Sequence, residues 1–203
     1  MQKVAIYLAG SIKKGHENTN ESFWTDEDMK YLRDCLHEYQ VSFLNPAFRT
    51  DSFSDQHSVF GRDMVQVFCS DVVFVDARDR RGLGVGAEMM WAKVNKIPVI
   101  TLAPLDSHYH KKTTTLLGIP VENWIHPFVE SLSDCIVSDL AQGTAWIKNM
   151  LAGTCPTVKD IEHIASAMRY YKATQLEHDE PMQTMINAND ILKTRVNTLQ
   201  REI

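Results

Sequence analysis

At 203 residues, with 44% hydrophobic and 23% charged residues, the chain is long enough for one substantial core and has the composition of a globular protein. Its formal net charge of -5 excludes a general nucleic-acid binder, which needs a basic surface to displace counterions from phosphates. No apolar run approaches a membrane span, and the sequence enters a strand-like run with no leader ahead of it, so a cytoplasmic protein is expected. Cys35, Cys69, Cys135 and Cys155 are far apart, with no CxxC pair, which suits reduced thiols; neither they nor the eight histidines show metal-ligand spacing, so no metal or organic cofactor is implied.

Residues 3–9, KVAIYLA, form an apolar run of strand formers that ends in Gly10-Ser11-Ile12-Lys13-Lys14-Gly15. Backbone N–H groups, a hydroxyl and two ammonium groups converge there, so the turn is either an anion cradle or an ordinary βα turn with solvated lysines. Thr25 with Asp28 has the form of a capping box, and Met29, Leu32, Leu36 and Tyr39 follow at helical spacing. Residues 41–44 read as a second strand ending at Asn45-Pro46, and 47–55 as a polar loop at the same edge of the sheet. Ser54 or Asp55 then caps a helix over 56–69, with Asp63 on its apolar stripe between Val59 and Val67. A carboxylate there needs a partner, such as Arg62 or Arg33, or a function.

Residues 70–100, SDVVFVDARDRRGLGVGAEMMWAKVNKIPVI, carry the densest signal. A buried strand over 72–75 ends at Asp76, a basic loop follows through Arg81, and Gly82, Gly84 and Gly86 at alternate positions let the backbone approach a ligand. Glu88 is expected in the first turn of the next helix, kept ionised by the helix N-terminus, and 97–102 reads as another buried strand. The segment 103–120 reads as a loop or lid, 124–129 as a last short strand, and 140–151 as a helix closed by Gly153. Beyond Thr157 come two amphipathic helices, the second over 182–199 at near-heptad spacing, which suits an oligomer contact or a pair lying on its own domain.

The run IYLAGSI, the helix carrying Asp63 ahead of SDVVFVDAR, and LGVGAE followed by a helix and IPVI together resemble the nucleoside 2-deoxyribosyltransferase family, with the nucleoside 5′-monophosphate N-glycosidase branch the nearest within it. The resemblance spans residues 3–102. It implies a flavodoxin-like (Rossmann-like) α/β fold, a parallel sheet of about five strands between helices, over residues 1–153, with 154–203 as a C-terminal helical extension. It further implies a homodimer or higher oligomer that cleaves the N-glycosidic bond of a (deoxy)nucleoside or its 5′-monophosphate through a covalent glycosyl-glutamate, resolved by water or by a second base. Glu88 matches the family's nucleophile, and Asp63 and Tyr7 match its other catalytic side chains. Gly10, Ser11, Ile12 and Lys13, with Asp76, Arg81, Gly82, Gly84 and Gly86, then form the substrate-binding turns. Three positions depart from the pattern. Gly82 stands six residues before Glu88, where one branch has aspartate and the other serine. Lys13, Arg80 and Arg81 are the candidates to supply the missing phosphate contact. Asn45 and Pro46 occupy the neighbourhood where some relatives place a histidine. A different reading, a nucleotide-sensing module that binds without cleaving, predicts stoichiometric binding and no released base.

Overall fold

The structure, a computed structural model, describes residues 1–10, 12–14, 20–22, 24–52, 54–155 and 157–199; of 12–14 and 20–22 only the strand pairing is described. Contacts divide the chain into two compact units, Met1–Lys159 and Asp160–Ile203, six residues beyond the boundary expected from sequence. Among the described residues no helix is long and apolar enough to cross a membrane.

The first unit is built on a parallel five-stranded sheet. Its strands are β1 (Gln2–Ala9), β4 (Tyr39–Leu44), β5 (Val72–Asp76), β6 (Val99–Leu102) and β9 (Cys135–Val137), in the order β4-β1-β5-β6-β9. Counting these five in chain order gives 2-1-3-4-5, the flavodoxin-like order expected from sequence. Two short strands, β2 (Ile12–Lys14) and β3 (Asn20–Ser22), pair antiparallel outside it. The order reverses at β1, so the chain leaving β1 and the chain leaving β5 part at the carboxyl edge and open a crevice there.

Side-chain alternation along β1 sorts its residues between the two faces. Ile6 and Leu8 join Phe74, Ile100 and Leu102 in a core closed by Trp24, by Leu32 of α1 (Asp26–Cys35) and by Ile147 of α5 (Leu140–Leu151). Tyr7, between them in sequence, belongs to the opposite face, which α2 (Gln56–Phe68) and α3 (Leu83–Val94) cover. The Thr25–Asp28 capping box closes in both directions, and Asp55 and Asp139 cap α2 and α5 as their sequences suggest. Gly143 lets α5 lie on Phe74: a Cβ there would stand 2.4 Å from the ring's Cζ. Gly143→Ala is therefore expected to lose about 1–3 kcal/mol of stability despite its better helix propensity, read as a fall in thermal midpoint.

Three expectations change. Residues 103–120 are not an irregular lid: β7 (His110–Leu116) and β8 (Ile119–Ile125) form a hairpin, with consecutive left-handed residues at Leu117 (φ 50) and Gly118 (φ 84) making its two-residue turn. Consecutive β-branched threonines favour that ribbon. Residues 124–129 are not a strand of their own: Trp124 and Ile125 end β8, Pro127 opens the short helix α4 (Pro127–Leu132), and the last sheet strand is β9. In the second unit α6 (Ile161–Thr174) is followed by a 3-10 turn (Leu176–His178). The expected helix over 182–199 is two, α7 (Glu180–Asn187) and α8 (Asp190–Thr198), because Asn189 caps the second by accepting from Ile191 N and Leu192 N.

Candidate active site

The glycine segment is helical rather than looped. Gly82 is the N-cap of α3 and offers no side-chain cap, and Gly84 and Gly86 lie inside the helix. Glu88 therefore falls in its second turn, beyond the reach of the helix-end charge that was expected to keep it ionised. Its side chain faces Gly84 one turn earlier, where a Cβ would stand 4.0 Å from Glu88 Oε1, and the missing methyl leaves that side of the carboxyl open. Trp91, one residue short of the next turn, donates from Nε1 to Met64 O at 3.1 Å and ties α3 to α2. The tie sets Glu88 against the face of α2 that carries Asp63.

Burial dominates the chemistry of this group. Glu88 is 7% exposed, and its pKa is pushed up to about 7, chiefly by desolvation; Tyr7 opposes the rise and Asp63 adds to it. The Tyr7 hydroxyl lies near enough to act on that titration. Even so, neither Tyr7 Oη nor Glu88 Oε2 completes a hydrogen bond of ordinary geometry with a described residue. Burial, with Glu88 and Asp63 adding to it, holds the Tyr7 phenol well above its usual range, so it stays protonated and able to donate. Asp63 is raised by burial against the pull of Arg49 and Arg62. The Arg49 guanidinium, 1% exposed, lies 3.4 Å from Asp63 and also pairs with Asp51. Arg62 lies 3.5 Å from Asp63 and donates to Phe48 O at 2.7 Å.

Tyr7, Asp63 and Glu88 are thus brought together at the crevice. Arg49 and Asp51 were not anticipated; their only signal is the polar loop 47–55, placed by sequence at this edge.

Asp76 and Arg81 are placed differently. Asp76, 1% exposed, accepts from Arg78 N at 3.0 Å and from Arg78 Nε at 3.0 Å, and pairs with Arg81 Nη2 at 2.9 Å. Arg78 continues to Asp28 at 2.7 Å, so this cluster clamps the loop after β5 to the start of α1. Gly10 packs under Trp24, whose indole would lie 3.5 Å from a Cβ there, and Trp24 Nε1 donates to Ala9 O at 3.0 Å. Ser11 and the side chains of Ile12 and Lys13, hence the expected anion cradle, lie outside the described residues.

A cavity of about 610 Å³ opens on another face of α3, lined by Val85, Gly86, Met89, Tyr109, His126 and Leu132 among others; Tyr7, Asp63 and Glu88 do not line it. Among the described residues no group of three or more His, Cys, Asp or Glu is placed to hold a metal ion.

Fold and site define an α/β protein of flavodoxin-like strand order, with buried Tyr7 and Glu88 beside a half-buried Asp63. No family model matches the chain, and no curated protein matches it. Among solved structures it is similar to a 2-deoxyribosyltransferase from the psychrotolerant bacterium Bacillus psychrosaccharolyticus, at 16% identity and a TM-score of 0.45, over 77% of this chain and 98% of that chain.

Proposed function

We propose that the chain cleaves the N-glycosidic bond of a (deoxy)nucleoside or its 5′-monophosphate, with Glu88 as nucleophile. The observation that carries this reading is the buried Glu88 carboxyl, which has an oxygen without a hydrogen-bond partner among the described residues beside an equally unpartnered Tyr7 hydroxyl. Leaving polar atoms buried and unmatched is costly, and the arrangement makes sense where a substrate completes it. The resemblance of residues 3–102 to deoxyribosyltransferases supports the same reading.

In the reaction the ionised Glu88 oxygen attacks the anomeric carbon while the C–N bond breaks and its electron pair leaves with the base. Asp63, raised by burial against the pull of Arg49 and Arg62, orients the sugar hydroxyl or relays a proton to that base. The Tyr7 O–H, held protonated beside Glu88, is placed to donate to the carboxylate as substrate binds. Water attacking the same carbon then frees Glu88 and gives the sugar, whereas a second base attacking there gives transfer; both restore the starting enzyme with retained configuration.

The test is release of free base from a panel of nucleosides and 5′-monophosphates, followed by chromatography with and without an added base. Release is expected, and kcat/KM should climb with pH through about 7 as free Glu88 ionises. Stoichiometric binding with no base released by any panel member would instead favour the sensing module.

A further inference from the structure

We infer that Arg49 is a positioning residue for the Glu88 reaction: its guanidinium holds one oxygen of the Asp63 carboxylate and so presents the other to the substrate. What Asp63 then does rests on the function proposed above; how it is held rests on geometry. Both guanidinium contacts to Asp63 fall on Oδ1, from Arg49 Nη1 at 3.4 Å and from Arg62 Nη1 at 3.5 Å. Oδ2 has no hydrogen bond or ion pair among the described residues. One oxygen is engaged and its twin is left for a ligand.

The loop after β4 aims the donor that does this. Arg49 donates from Nε to Asp51 Oδ1 at 2.8 Å and from Nη2 to Asp51 Oδ2, a two-pronged pairing that fixes the plane of the guanidinium and leaves Nη1 directed at Asp63. Arg62 closes the figure, 3.8 Å from Asp51 Oδ1, so positive and negative groups alternate around a ring of four. The Arg49 side chain is 1% exposed. Covering a guanidinium is costly, and a covered ion pair adds little stability over an apolar contact of the same shape, so a fixed orientation is what the ring gains. Burial and Asp51 favour the protonated form of Asp63, and the two arginines favour the ionised one. Tyr7 of β1 and Glu88 of α3 are the other titratable groups that it acts on.

The test uses the full chain labelled with carbon-13 at the aspartate carboxyls, the Asp63 signal being assigned by its loss in Asp63→Asn, with base release measured alongside. Arg49→Gln removes a positive neighbour, so the Asp63 midpoint should rise by about one pH unit. Base release should fall about a hundredfold, chiefly in kcat, as the carboxylate swings out of line. That fall should vanish in the Asp63→Asn background, where Arg49 has no carboxylate to hold. Arg49→Lys keeps the charge and loses the fork: the midpoint should stay in place while the carboxyl signal shifts and base release falls nearly as far, and this variant carries the test if Arg49→Gln does not fold. An unmoved midpoint in Arg49→Gln, an unmoved carboxyl signal in Arg49→Lys, or an equal fall with and without Asp63 would each overturn the role. No base release from wild type, with a midpoint that still rises in Arg49→Gln, would sink the function proposed above and leave the hold on Asp63 standing; release without that rise would sink only the role of Arg49.

Discussion

Glu88→Gln is expected to lower base release by about a thousandfold or more while making the protein harder to unfold above neutral pH. The first effect follows from removing the nucleophile and keeping its shape. The second follows from the carboxyl's burial, which raises its pKa from near 4.5 to about 7. Below pH 4.5 both folded and unfolded chains hold the proton, and burial of this group carries no charge penalty. Between 4.5 and 7 the unfolded chain ionises first, so stability falls as pH rises; above 7 the penalty is complete, at about 3 kcal/mol. Denaturant curves of wild type and E88Q should therefore coincide near pH 4 and separate by pH 8, with the variant the more stable. Parallel curves at both pH values would show that the carboxyl is not strained, and retained base release would remove Glu88 from the reaction.

Asp134→Ala should be the most damaging substitution in the first unit, with a loss of about 3–5 kcal/mol. Asp134 and Lys93 form an ion pair in which the side chains are 3% and 1% exposed. The same carboxylate accepts from Val99 N at 2.6 Å and from Lys159 N at 2.6 Å, so it joins α3, β6 and the end of the unit. Alanine would strand a buried ammonium and two backbone donors together. The double variant K93M/D134N, which removes both charges and keeps an acceptor, should recover much of the loss in urea unfolding. A single D134A variant within 1 kcal/mol of wild type would refute this account.

Much of the first hundred residues is legible in sequence because their patterns are local. The run KVAIYLA, the Thr25–Asp28 box and the buried strand ending at Asp76 each declare themselves within a few positions. The glycines mislead for a physical reason: glycine marks permission for unusual backbone, and at Gly84 and Gly86 the permission is one of space, inside an ordinary helix. The second turn of that helix, unlike the first, leaves Glu88 to be governed by burial, which depends on α2 and β1 and so is invisible to a local reading. The hairpin was hidden because its turn is Leu117-Gly118 and lacks the asparagine or aspartate that usually announces one. Arg49, its side chain covered, bridging Asp51 and reaching Asp63, looks in sequence like any cation in a polar loop.

The bond from Lys159 N to Asp134 also says where this chain can be cut. Lys159 is the last residue of the first unit, and its amide completes the acceptor set of an acid buried beneath it. A protein shortened after Lys159 keeps that acid fully served. One shortened after Gly153, the boundary that sequence alone suggests, carries off a donor that the α/β unit uses, so instability in such a fragment would report a misplaced scissor and not a need for the helices that follow.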